Sequence, residues 1–211
     1  MIEISDDFTA RGLTVRLGCV EAAVAVGPGG ADLEAALDAA AEALPARLAG
    51  TPIAELPAVA ATRRAYRALG KDPARYRPAA EALMRRVKQG KGLYRVNNVV
   101  DVNNLISLRT GFSIGTYDLE RVRPPLLFRR AGEGETYAGI GRGPLNLEGL
   151  PVFADAAGGA RRYRQYHRIA CAEGPPVESA DPFAGEIQAA QAGVEFDLGA
   201  VSAQKSDGRI D

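Results

Sequence analysis

"VVDVNNLISLRTGFSIGTYDL", residues Val99 to Leu119, sets Asp101, Asn103 and Asn104 among Val100, Val102 and Leu105, then passes two glycines before the pair Tyr117-Asp118. A segment selected only for packing would rarely carry so many side-chain amides and carboxylates. Each buried polar group left without a hydrogen bond costs about 1–3 kcal/mol. These groups must therefore either satisfy the backbone of nearby turns or line a surface that binds something. The apolar residues Leu105, Ile106 and Leu108 up to Gly111 read as a helix that begins near an N-cap at Asp101. The preceding Gly92–Val100 reads as extended.

Working outward, the chain alternates helical and extended signals. Upstream, "LEAALDAAAEALPARLAG" repeats Leu33, Leu37 and Leu44 on a helical period behind a cap at Asp32, with Pro45 and Gly50 to bend or end it. "LPAVAATRRAYRALG" predicts a second helix closed by Gly70. "AAEALMRRVKQG" predicts a third, opened by Pro78 and closed by Gly90. Nearer the N-terminus, "GLTVRLGCVEAAVAVG" alternates well enough to predict one or two strands ending at Pro28-Gly29-Gly30. Downstream, "PPLLFRRA" reads as an apolar strand, "GEGETYAGIGRG" as a glycine-rich hairpin, and "LNLEGLPVFADAAGG" as a further strand or two. After Gly159 no strand signal is clear except "VEFDLGAV", and the last ten residues read as unstructured.

With 211 residues, 46% of them hydrophobic, the chain can bury one substantial core. The expected organisation is one domain over residues 1–159 and an irregular segment over 160–211. No run approaches the roughly 18 apolar residues of a membrane span. The N-terminus lacks the pattern of a secretory signal, and two cysteines make no disulfide framework. A reducing, cytoplasmic setting without a membrane partner is the expectation.

The formal net charge is zero but unevenly spread. Between Thr62 and Arg95 stand eleven Lys or Arg residues against Asp72 and Glu81, a density able to hold phosphates. The candidates for RNA contact are Arg63, Arg64, Arg85, Arg86, Lys88 and Lys91, the alternative being a merely solvated helix face. From Glu173 to Asp211 the balance reverses, with eight carboxylates against Lys205 and Arg209.

Motifs for cofactors and for common hydrolytic chemistry do not occur: there is no GxGxxG before a helix, no Walker A loop, no HExxH and no GxSxG. The single histidine, His167, lies in the basic aromatic run "RRYRQYHR" and reads as a surface residue. The carboxylates Asp101, Asp118, Glu148 and Asp155 have no His or Cys at ligand spacing, so neither a metal nor a cofactor is expected.

The run "TRRAYRALGKDPARYRPAAEALMRRVKQGKGLYRVNNVVDVNNLISLRTGFSIGTYDL" resembles the B3/B4 domain of the phenylalanyl-tRNA synthetase β subunit, and still more the free-standing B3/4 proteins related to it. Gly70-Lys71-Asp72-Pro73, Glu81-Ala82-Leu83, Val100-Asp101 with Asn104, and Tyr117-Asp118 keep the order and spacing of that family. The likeness continues through "GEGETYAGIGRGPLNLEGLPVFADAAGG", about two-thirds of the chain. It implies an α+β fold with a curved, barrel-like mixed sheet decorated by helices. It also implies tRNA or aminoacyl-tRNA as partner, and possible hydrolysis of misacylated tRNA in trans. On this resemblance the pocket would be formed by Asn97, Asn98, Asp101, Asn104, Gly115, Tyr117 and Asp118.

The resemblance fails at two places. Bacterial synthetase β subunits carry a histidine in "QPxHAFD" that is tied to editing; the matching stretch here is "FSIGTYD", with Gly115 at that position. After "DAAG" the family leads to a Gly-, Ser-, Thr- and Asp-rich segment and an apolar strand. This chain instead runs into the basic "GGARRYRQYHRIACAEGPP", a divergent tail or the product of a shifted reading frame. Three functions follow as expectations: trans-editing hydrolysis, RNA binding without catalysis, or a pocket for an amino-acid-like small molecule.

Overall fold

The computed structural model describes residues 2–138, 144–156 and 209–210. The expected irregular segment 160–211, with His167 and "VEFDLGAV", lies outside the described residues apart from Arg209–Ile210.

Four α-helices are described: α1 (Ala31–Leu48), α2 (Pro57–Ala68), α3 (Ala79–Lys88) and α4 (Asn98–Thr110). Leucine spacing drives α1, which buries Leu37, Leu44 and Leu48 along one face. Pro45 sits inside α1 rather than ending it; the helix runs on to Leu48 and closes through Ala49 and Gly50, both at positive φ. Pro57 takes the first turn of α2, where its missing N–H costs nothing. The main core joins Leu37, Leu44, Val59, Met84, Leu105 and Leu108, so α1, α3 and α4 meet with the start of α2. At the end of α4, Gly111 has a φ of 81°, and a Cβ there would lie 3.4 Å from Ala58 Cβ. A side chain at this position would both strain the backbone and crowd α2.

Among the described residues six strands follow the chain order β1 (Ile2–Ile4), β2 (Leu126–Arg130), β3 (Thr136–Ala138), β4 (Pro144–Asn146), β5 (Pro151–Ala154) and β6 (Arg209–Ile210). They form a mixed sheet in the order β5-β2-β1-β6 and a separate antiparallel pair β3-β4. β1 and β2 are parallel, with Ile4 opposite Phe128, while β2 and β5 run antiparallel, with Phe128 opposite Phe153. A second core stands on this sheet: Phe8 stacks on Phe128 at 5.0 Å between ring centres, with Leu13, Ala65 and Leu69 around them. Arg129 holds Glu135 through two hydrogen bonds of 2.8 and 2.9 Å, fixing the turn before β3.

The architecture is therefore α+β, with a small mixed sheet; a closed barrel is not found among the described residues. Two local expectations are corrected. The stretch "GLTVRLGCVEAAVAVG" forms no strand: residues 13–30 run without helix, ladder, turn or bend. Its alternation is real, but a strand needs a partner ladder, and none of the described strands lies beside it. At the other end, Arg209–Ile210 pairs antiparallel with Ile2 and Glu3, where the sequence reads as unstructured.

Candidate functional site

The polar stretch that opens α4 is used by the backbone around it. Asn97, extended at φ −163°, is the N-cap: its Oδ1 accepts the N–H of Val100 at 3.0 Å. The helix thus starts at Asn98, and Asp101 is not the cap but lies at the end of the first turn. Asp101 is only 2% exposed, and its Oδ1 accepts the N–H of Val96 at 3.0 Å. The two side chains reach in opposite directions across the helix start, Asn97 forward and Asp101 back, in the manner of a capping box. A negative side chain there also suits the positive end of the helix. Further along α4, the side-chain amide of Asn103 donates to the hydroxyl of Thr116.

Asn98 performs a different task. Its Oδ1 accepts the N–H groups of Gly27 and Val99, its Nδ2 donates to the carbonyl of Ala25 at 2.8 Å, and its own N–H donates to Gly27 O at 2.9 Å. It therefore pins the Ala25–Gly27 stretch to the start of α4. The other oxygen of Asp101 faces the same turn: a Cβ on Gly29 would lie 3.5 Å from Asp101 Oδ2.

The segment after α4 continues the pattern. Buried Ser113 accepts the N–H of Ala80 with its hydroxyl at 3.1 Å, capping α3 from a distance in sequence. Gly115 is half-buried in the following loop. Tyr117 packs edge-on to Phe153 at 5.4 Å and belongs to the core above the sheet. Asp118 caps the short 3-10 turn Leu119–Arg121 through the N–H of Glu120. Asn104 is half-buried and makes no side-chain hydrogen bond among the described residues. The structure thus gathers Asn97, Asn98 and Asp101 at one end of α4 and sets Tyr117 and Asp118 against other elements. A small hollow does occur elsewhere, lined by Leu44, Leu48, Thr51 and Lys88; none of the seven candidate pocket residues borders it.

The basic block divides in two. Glu81, fully buried on α3, accepts Arg63 at 2.8 Å and Arg85 at 2.9 Å, with Arg77 at 3.8 Å. Arg63 also reaches the carbonyl of Pro73 at 3.3 Å. A buried carboxylate demands such compensation, because leaving it unpaired would be prohibitive. Arg86 lies 3.9 Å over the ring of Tyr94 and donates to its hydroxyl at 3.2 Å. Arg64, Arg67, Arg75, Lys88 and Lys91 are exposed. So of the six expected RNA contacts, Arg64, Lys88 and Lys91 face solvent, Arg63 and Arg85 hold Glu81, and Arg86 stacks on Tyr94.

Sequence reasoning missed the role of Glu81, although a signal was there: Glu81 and Arg85 fall at i and i+4 on α3, with Arg77 just ahead of the helix, four residues before Glu81. The pin made by Asn98 had no such signal, since Gly27 lies 71 residues away. Among the described residues no group of three or more His, Cys, Asp or Glu side chains could hold a metal, and no helix is long and apolar enough to cross a membrane.

Residues 61–164 match the family model of the B3/4 domain. Comparison with curated proteins and with solved structures finds no match.

Proposed function

We propose that this chain, a member of the B3/4 domain family over residues 61–164, binds tRNA or aminoacyl-tRNA through the solvent-facing part of its basic block. The observation that carries the reading is the division of the arginines. Arg63, Arg77 and Arg85 neutralise Glu81, while Arg64, Arg67, Arg75, Lys88 and Lys91 remain exposed on α2, the loop after it, and the end of α3. With Asp72 and Glu81 the only carboxylates among eleven cations between Thr62 and Arg95, and Glu81 buried, the surplus positive charge falls at the surface. Such a surface attracts a polyanion by counterion release, without reading sequence.

The experiment is tRNA binding measured across a salt series. Each phosphate contact contributes about 0.7–0.9 to the slope of log affinity against log salt. Changing Lys88 and Lys91 to Glu should weaken binding and flatten that slope, and an unchanged slope would remove the proposal. Arg64→Glu should act in the same direction.

Hydrolysis of misacylated tRNA in trans is the finer reading. Family kinship supports it, and Gly115 at the position of the synthetase histidine speaks against a copied active site. Asp101 is the one buried carboxylate at the start of α4, with Oδ2 turned toward the Gly29 turn, and it is the group to test as a general base. Deacylation kinetics over a panel of misacylated tRNAs separate this reading from binding alone: retained tRNA affinity with no rate above background leaves a binding module. Binding of free amino acids with no response to tRNA would favour the small-molecule pocket instead.

A further inference from the structure

Cations gather where the end of α2 meets the end of β2 and the turn before β5. Lys71 follows Gly70 just past α2, Arg130 is the last residue of β2, and Gly149 precedes Leu150 at the entry to β5. Gly149 is buried, with a φ of 71°. A Cβ on it would lie 2.9 Å from Lys71 Cε, 3.2 Å from Arg130 Nη2 and 3.2 Å from the carbonyl oxygen of Leu69. Only a residue without a side chain lets both cationic side chains cross the backbone at this point. Arg130 is fixed there by its Nε, which donates to the carbonyl of Leu69 at 3.2 Å. Lys71 Nζ stands 4.7 Å from the ring centre of Tyr76, and the Arg75 guanidinium lies 5.7 Å from the same ring.

No carboxylate answers this charge. Among the described residues neither Lys71, Arg75 nor Arg130 forms an ion pair. Asp72 turns its Oδ1 to the N–H of Ala74 at 2.9 Å, and Glu148, next to Gly149, pairs with none of them. Lys71 and Arg130 are both half-buried, where like charges repel more strongly than in open water. The Tyr76 ring accounts for the placing of Lys71 and Arg75. It does not account for Arg130 arriving at the same glycine. We propose that Lys71 and Arg130 form a binding site for a phosphate monoester, carried at the end of an RNA chain or on a small molecule. Two cations match the charge of such a group, about −1.5 to −2 at neutral pH. The free edge of the guanidinium takes two phosphate oxygens side by side, while the ammonium takes a third as a point charge. Apart from Arg130 Nε, the side-chain N–H groups of both residues have no acceptor among the described residues, so they are open to this ligand. The site stands apart from the tRNA reading, because Lys88, Lys91 and Arg64 take no part in it.

Titration of the full chain with inorganic phosphate, read by calorimetry and phosphorus NMR line width, tests the proposal at constant ionic strength. The wild type should bind. Lys71→Met and Arg130→Gln should each weaken binding about tenfold or more, as the loss of a charge-assisted hydrogen bond does. Arg11→Gln, which removes a cation already paired with Asp7, should leave it unchanged. Phosphate should also raise the melting temperature of the wild type but not that of Lys71→Met. Circular dichroism confirms that each variant is folded, and Lys71→Met carries the test alone if Arg130→Gln is not. An RNA oligonucleotide with a terminal phosphate, set against its twin with a terminal hydroxyl, identifies the carrier. A preference for the phosphorylated form that disappears in Lys71→Met assigns the site to an RNA end. Inorganic phosphate binding without that preference assigns it to a small phosphate monoester. A wild type that binds no inorganic phosphate overturns the proposal, and so does binding that Lys71→Met leaves undiminished. Neither result touches the salt dependence of tRNA binding, so the two readings fail separately.

Discussion

The helical core and the straight Leu13–Gly30 stretch are built from comparable amounts of aliphatic sequence, yet one is sealed and the other lies open. In the core Leu37, Leu44, Met84 and Leu108 are fully buried, each on a helix that satisfies its own backbone. In the stretch Val20, Val24 and Val26 are exposed, and the backbone groups around them meet no ladder among the described residues. The difference lies in where the hydrogen bonds come from. A helix closes its bonds within four residues, so an apolar stripe of period 3.6 needs only another stripe to pack on. A strand has to borrow every bond from a neighbour, and alternation alone does not supply one.

The sharpest way to break this comparison is at Glu81, which is the polar keystone of the helical side. Glu81→Ala would leave Arg63, itself only 15% exposed, beside an empty space with its partner gone. Removal of one member of a buried ion pair costs about 3–5 kcal/mol. Thermal and urea unfolding should show a loss of that order. Exchange of both Glu81 and Arg63 for apolar residues of similar volume should recover much of it, because the two desolvation costs vanish together. A drop of under about 1 kcal/mol in the single variant would mean that the cluster is a surface pair.

Next in size is Leu108→Ala, which removes a fully buried side chain where α4 meets α1. A loss of about 2–5 kcal/mol is expected. The matching change on the open side, Val26→Ala, should stay within about 0.5 kcal/mol, as surface changes do. If both variants melted alike, the contrast between the two regions would be false.

Much of this fold could be read from the chain, and the failures share one cause. All four helices occur on the expected segments, with Pro78 ahead of α3 and Gly70, Gly90 and Gly111 just past the ends of α2, α3 and α4, and β2 occupies the expected "PPLLFRRA". The start of α4 was misplaced because Asn97, Asn98 and Asp101 are all competent caps by residue type. Only the backbone shows that Asn97 takes the role. The Leu13–Gly30 stretch, which joins no ladder among the described residues, reads as strand from its residues, since propensity is local and pairing is not. In the candidate site the arginines could be listed from sequence, but their division could not. Which cations face Glu81 and which face water depends on burial of a carboxylate that charge counting treats as one more solvated group.

Asp101 is the next test. Asp101→Ala would strip the N–H of Val96 of its acceptor beneath a nearly closed surface. A loss of about 1–3 kcal/mol is expected, with Asp101→Asn milder because its amide oxygen can still accept. If Asp101 is instead a general base, Asp101→Asn would abolish any deacylation while leaving the melting temperature in place. Unfolding and deacylation measured on the same two variants decide between these roles.

Asn97 carries the smallest effect and sharpens the comparison most finely, because it acts on the backbone of one helix start and touches no core. Its Oδ1 satisfies a single N–H, that of Val100, at 3.0 Å. Loss of a cap of this kind costs about 0.5–2 kcal/mol, so Asn97→Ala should lower stability by that amount, and Asn97→Asp or Asn97→Ser, which keep an acceptor, by much less. The neighbouring Asp101 bond crosses the same turn in the opposite direction, so the two are expected to couple. In a cycle of Asn97→Ala, Asp101→Ala and the double variant, the double loss should fall short of the sum, since either single change already frees the turn that the other holds. Strict additivity would mean that the two side chains hold the backbone independently, and that α4 starts from one cap rather than from a reciprocal pair.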